Sequence, residues 1–306
     1  MSEMDKGQEA VNQVLMAAIN EQKNARRWKI FFRILYLVIF LVVIIAARNT
    51  KPVGLPTEDH VALIKLHGMV GGQITTDKTL TPIKNAMKNP AAKTIILDID
   101  SSGGYPTQSH IIKEEILRLK AMYPEKKVYA VAGDVMGSAA YHIALAADEI
   151  YASPTSIVGS IGVLMPSYGF TGLLEKIGVE DRTLQVGKYK SLYSPTKPIN
   201  EEEKTLLQLQ IKQAYKVFVN DVLASRGDKL KGDKELLFSG AYWIGQNAVD
   251  NGIVDGIGNI YQVSLSKADT DEMIVYLPKR SFVETFNENL NANIKSTITS
   301  MMYFGK

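Results

Sequence analysis

Two glycine-containing turns hold the residues best suited to covalent chemistry. One reads Asp100-Ser101-Ser102-Gly103-Gly104, the other Gly133-Asp134-Val135-Met136-Gly137-Ser138-Ala139-Ala140. Each directly follows a short apolar run. Glycine frees backbone N–H groups to point at a developing oxyanion. Ser138 lies between Gly137 and Ala139, so its hydroxyl can stand exposed and a substrate backbone can come close. The same Gly-Ser pair is also an ordinary helix cap, and spacing alone favours that reading. The Gly-x-Ser-x-Gly elbow is absent. Gly71-Gly72 reads as a turn, because no Gly-Lys-Ser/Thr follows it.

A serine nucleophile needs a base. His142 follows Ser138 by one helical turn, along the same helix rather than across a cleft, and reads as a packed histidine. A lysine can serve instead where burial disfavours its charged form. The chain has many lysines, and spacing does not choose among them. The four histidines, His60, His67, His110 and His142, show no metal-ligand spacing, so no metal site is expected.

The elements that must position these turns alternate in type. Apolar runs predict strands at Val61–Leu66, Thr94–Ile99, Val128–Ala132, Ile150–Ala152 and Gly162–Leu164. Helical patterns fall at Leu80–Lys88, His110–Met122, Gly137–Asp148 and Glu201–Arg226, the last stopped by Gly227. This alternation predicts an α/β domain with much parallel sheet. A turn after a sheet strand that opens into a helix is where such folds place ligands and nucleophiles.

Composition narrows the class. The chain has 306 residues, no cysteine and a formal charge of +3. Disulfides, thiolate catalysis and cysteine-based metal centres are thereby excluded, and no nucleic-acid footprint is indicated. Residues 34–47 read ILYLVIFLVVIIAA, and Ile30, Phe31 and Phe32 extend the run past Arg33. That is close to the ~20 residues that cross a bilayer. Lys23, Arg26, Arg27, Lys29 and Arg33 precede or open the run, whereas only Arg48 and Lys51 follow closely. The positive-inside rule puts the N-terminus in the cytoplasm and the rest outside. A cleaved signal peptide would need a shorter leading region and a small-x-small site. A buried core helix is the other reading. The expected organisation is a cytoplasmic segment 1–28, an anchor 29–48, a linker 49–60 and an extracytoplasmic domain 61–306 ending in an amphipathic extension. Residues Glu9 to Glu21 carry a helical apolar stripe that suits an interfacial helix or an extension of the anchor.

Four stretches, in this order, carry a family likeness: IILDIDSSGG, VYAVAGDVMGSAAYHIALAADEIYASPTSIVGSIGV, QVGKYKSLYSPTKP and GAYWIGQNAVDNGIVDGIG. From about Val61 to Gly258 the chain resembles the signal peptide peptidase A family, membrane-bound Ser-Lys proteases of the ClpP/crotonase fold. The resemblance implies Ser138 as nucleophile, Lys190 as general base and Ser160 as the serine that orients the lysine. It implies Gly104, or Gly103, and Ala139 as oxyanion-hole amides, and no cofactor. It further implies signal peptides and other short hydrophobic peptides as substrates, and a homo-octamer whose neighbouring subunits share each site. Two departures are visible. Ser102 stands where the family usually has proline, and Ala139 and Ala140 stand where it usually has two glycines. Neither removes an N–H group. The rivals are a stomatin-associated membrane protease, a crotonase-type acyl-CoA enzyme and an inactive interaction module.

Overall fold

The computed structural model describes residues 3–49, 56–198 and 200–278. The expected C-terminal extension beyond residue 278 and most of the linker lie outside them. The first element, α1, is one continuous helix, Glu3–Asn49. It contains both the Glu9–Glu21 stripe and the apolar run, and it forms a unit apart from residues 55–279. Among the described residues, no helix is long and apolar enough to cross a membrane. Side chains 42–47, the end of the apolar run, are outside that description.

The second unit is built on β1 (His60–His67), α2 (Thr76–Lys88), β2 (Ala92–Ser101), α3 (Pro106–Met122), β3 (Lys127–Gly137) and α4 (Ala139–Ala144). Next come β4 (Glu149–Ala152), β5 (Ile157–Gly159), α5 (Thr171–Lys176), α6 (Glu201–Arg226) and α7 (Lys234–Leu237). It closes with β6 (Tyr242–Ile244), α8 (Gly245–Asp250), β7 (Gly256–Ile257), α9 (Ile260–Ala268) and β8 (Met273–Val275). The sheet order is β6-β5-β3-β2-β1-β8, with β4 beside β3 and β7 beside β4. Among the described residues only the β5–β6 pair is antiparallel.

The expected α/β class and parallel sheet are therefore found. The strands read as unbroken apolar runs because the sheet is covered on both faces. Along β1, Ala62, Ile64 and Leu66 enter the main core with α2 and α3, whereas Val61 and Leu63 join Ile96, Val131 and Val263 on the other face. Helix α6 starts and stops where the pattern predicts. Its Asn200 side chain accepts from the Glu203 N–H at 2.8 Å, capping the first turn.

Two boundaries differ from the sequence reading. No strand forms at Gly162–Leu164; β5 ends at Gly159, and Ser160 turns the chain with a φ of +52°. The Ser160 N–H then bonds to the Ala241 carbonyl at 2.9 Å instead of extending a ladder. The helix expected from Gly137 to Asp148 shrinks to α4, because Gly137 belongs to β3, paired with Gly159.

Strand β3 splits its pairing: Tyr129–Val131 face β4, and Val135–Gly137 face β5. The β2–β3 register shifts between Ile99 and Ser101, which sets Ser101 opposite Met136. The C-terminal ends of β2, β3 and β5 therefore lie side by side. Turns distant in sequence meet there, at the edge where open α/β sheets bind ligands.

Candidate active site

Ser138 leaves β3 with φ +51° and ψ −121°, a conformation rare for a residue with a side chain. Its backbone is held on both sides: its N–H donates to the Gly159 carbonyl at 2.8 Å, and its carbonyl accepts from the His142 N–H at 2.9 Å. The side chain makes no capping hydrogen bond. The helix-cap reading that spacing favoured thus does not describe what the hydroxyl does. The hydroxyl opens instead onto a cleft of about 680 Å³ that is also lined by Ser102, Gly103, Gly104, Ser160, Lys212 and Tyr215.

The turn after β2 is clamped to the segment after β1. The Val70 N–H donates to the Gly103 carbonyl, and the Tyr105 N–H donates to the Val70 carbonyl, each at 2.9 Å. The clamp requires glycine. A Cβ on Gly104 (φ +149°) would stand 2.0 Å from the Val70 oxygen, and one on Gly103 (φ +112°) would stand 2.8 Å from the Ser138 Cβ. The Gly103 N–H donates to Ser101 Oγ at 3.2 Å. Among the described residues the Gly104 and Ala139 N–H groups donate to nothing. Ala139 opens α4, where a first-turn N–H has no partner within the helix. The two residues that carry these amides line one pocket with Ser138, and Gly104 is a better donor than Gly103.

Ser160 reaches the same cleft because Gly159 pairs with Gly137 in the sheet. Lys190 does not reach it. It is exposed in the turns after Gly187, its N–H bonded to the Gly187 carbonyl at 3.1 Å, and it lines neither the cleft nor the pocket beside it. The lysine that lines the cleft is Lys212, on α6. Its position follows from the return of α6 across the strand ends, which no local pattern near Ser138 reveals.

The pocket beside the cleft, about 230 Å³, shares Gly104, Ser138 and Gly162 with it and adds Ala139, Ala214, Val217 and Phe218. It is predominantly apolar. His142 forms part of its wall and is packed, as expected: Nδ1 lies 2.9 Å from Ser109 Oγ, and Nε2 lies 2.6 Å from Asp221 Oδ2. Both ring nitrogens are engaged, so neither is free to take the Ser138 proton. Burial pushes the His142 pKa down, and the hydrogen bond to Asp221 opposes this only partly. Lys113 Nζ holds the other Asp221 oxygen at 2.7 Å. Sequence reasoning missed Ser109, Lys113 and Asp221; nothing in local spacing ties α3 to α6.

A sheet edge that gathers a strained serine and two amides unpaired among the described residues has the chemistry that acyl transfer requires, and sequence comparison points to a class that performs it. The profile of peptidase family S49 matches residues 120–273, half of the chain. The chain belongs to that family. It is 38% identical to a Brucella melitensis protein named Na(+)/H(+) antiporter NhaA, over 66% of this chain and 28% of that one. It is 35% identical to an Enterococcus faecium protein provisionally named signal peptide peptidase SppA, over 58% of this chain and 51% of that one. It is 29% identical to the chloroplastic serine protease SPPA of Arabidopsis thaliana, over 66% of this chain and 31% of that one. The matches thus span about half or less of each of these relatives.

Proposed function

We propose that the protein is a membrane-anchored serine peptidase that degrades cleaved signal peptides and other short hydrophobic peptides. One observation carries this reading: Ser138, in a backbone conformation rare for serine, lines one apolar pocket with Gly104 and Ala139, whose amides donate to nothing among the described residues. Ser138 attacks a peptide carbonyl, the two N–H groups hold the tetrahedral oxyanion, and water clears the acyl-enzyme. The leaving amine takes the proton first accepted by the base. The pocket favours an apolar substrate side chain.

The base in this reading is Lys190 supplied by a neighbouring subunit, oriented by Ser160. The segment that holds Lys190 supports this. Leu164, Leu184 and Val186 there are more than four-fifths exposed in the single chain, which suits an arm covered by another copy. A ring of eight copies is the assembly that the family resemblance implies. Lys212 favours a second assignment, a base within the same chain, because it lines the cleft. For the anchor, the support is α1 itself. Its apolar side chains from Ile34 to Leu41 are exposed, and Lys23, Arg26, Arg27, Lys29 and Arg33 crowd the N-terminal side of that run, so the reading places the domain outside the cytoplasmic membrane with the N-terminus inside.

The test is hydrolysis of short apolar peptides by detergent-extracted protein. Ser138→Ala should abolish it while leaving fold and assembly intact. Undiminished turnover in that variant, with contaminating proteases excluded, would refute the assignment.

A further inference from the structure

His110 on α3, His142 on α4 and Asp221 on α6 converge at the wall of the apolar pocket. His142 Nε2 lies 2.6 Å from Asp221 Oδ2, and His110 Nδ1 lies 3.7 Å from the same oxygen. The two rings lie nearly parallel, 25° apart, with centroids 6.1 Å apart. A proton on His142 Nε2 accounts for the short contact. It does not account for His110 Nδ1, which is shielded from solvent and has no hydrogen-bond partner among the described residues. At 3.7 Å its contact with Asp221 is too long for a hydrogen bond.

We propose that His110, His142 and Asp221 form a reversible binding site for a divalent transition cation of the zinc class, beside Ser138. The three ligand atoms already lie within 4.8 Å of one another. Two donors on one tetrahedral zinc ion stand roughly 3.4 Å apart, so the set is completed when His110 moves inward and the 2.6 Å His142–Asp221 contact opens by under about 1 Å. Two imidazoles and one carboxylate suit zinc and leave a fourth position open. Calcium and magnesium, which prefer oxygen ligands, fit the set poorly.

The surroundings can support the bound form. When His142 Nε2 holds the metal, its Nδ1–H can donate to Ser109 Oγ at 2.9 Å, while the Ser109 proton goes to the Pro106 carbonyl at 2.8 Å. That fixes ring and tautomer, as the outer hydrogen bonds of metal-bound histidines do. The burial that lowers the His142 pKa also keeps its imidazole neutral and able to ligate. Lys113 on the other Asp221 oxygen weakens the site, which makes the metal exchangeable rather than structural. Both histidines and Ser138 line one pocket, so a bound cation takes the space of a substrate side chain. The site is therefore inhibitory, a consequence that rests on the peptidase reading.

Untagged, detergent-extracted protein titrated with Co2+, read by its visible absorption, should show one saturable site per chain, and Zn2+ should displace the signal. His110 has a side chain 46% exposed, so His110→Ala should keep the fold, as thermal melting would verify. That variant should bind at least ~10-fold more weakly. Equal affinity in His110→Ala, or no saturable binding in the unaltered protein, would overturn the site. Zn2+ should also slow peptide hydrolysis, and less so in His110→Ala relative to that variant's own metal-free rate. Binding without inhibition would keep the site and overturn its inhibitory role. The Co2+ titration reads out whether or not the chain hydrolyses peptides, so the two readings fail separately.

Discussion

Ser138 shows how a residue can be visible in sequence while its role is not. Gly137-Ser138 has the spacing of a helix cap, and only the positive φ and the missing capping bond separate the two readings. Ser160 was harder to see, because its place beside Ser138 depends on the pairing of Gly137 with Gly159. Gly103 gives a sharp test of the turn. Its added Cβ would press on the Ser138 Cβ at 2.8 Å, so Gly103→Ala should lower kcat by about 100-fold, the scale of losing one oxyanion donor. Steady-state kinetics alongside a melting curve would separate this from unfolding, and kcat within a factor of a few of the unaltered enzyme would count against the turn. The base is tested by charge-preserving changes. Lys190→Arg should be inactive, because arginine cannot give up its proton, while Lys212→Arg should retain turnover. The reverse result would move the base to the cleft lysine.

At the scale of elements, most of the frame was legible. Runs of β-branched and aliphatic residues located β1 to β4, and α6 had clear start and stop signals. What escaped was set by long-range pairing. The apolar stretch at Gly162–Leu164 looked like a strand, yet the ladder ends at Gly159 because Ser160 turns towards Ala241. The end of α6 is another such case. Arg226 is buried and donates to the Gly252 carbonyl at 2.8 Å and to Asp255 at 2.9 and 3.2 Å. Asp255 also accepts from the Ile150 N–H at 2.8 Å, so this pair ties α6 to β4 and β7. Burial opposes ionisation of Asp255, but hydrogen bonds from Arg226 and Lys229 outweigh it and hold the carboxyl below its ordinary value. A carboxylate shifted down stabilises the fold above its unfolded pKa, near 3.9, and loses that contribution as pH falls through the lower folded value. Asp255→Ala should destabilise the domain by about 3–5 kcal/mol at neutral pH, since it leaves a buried guanidinium unpaired. Urea unfolding measures this, and the gap between the two proteins should narrow as pH falls from the unfolded value through the lower folded one. A loss under 1 kcal/mol, or a gap that ignores pH, would show that the pair does not clamp α6.

At the scale of the whole molecule, the apolar run and its flanking charges were plain in sequence, whereas the completion of the site was not. One chain brings Ser138, Ser160 and the two amide-bearing residues to one cleft edge and leaves Lys190 exposed outside it, although the arm beside Lys190 is tied to α6 through Lys188 and Glu202. The anchor reading predicts that protease added to intact spheroplasts reaches the domain after Arg48; protection until lysis would reverse the topology. A serine peptidase whose site is completed by a second copy can be recognised by subunit mixing. Chains carrying Ser138→Ala and chains carrying Lys190→Ala should each be inactive when assembled alone. Assembled together, about a quarter of the interfaces should pair an intact serine with an intact lysine by random association of symmetric neighbours, and peptide hydrolysis should return in proportion. No recovered activity, with co-assembly confirmed by cross-linking, would contradict a site shared between subunits.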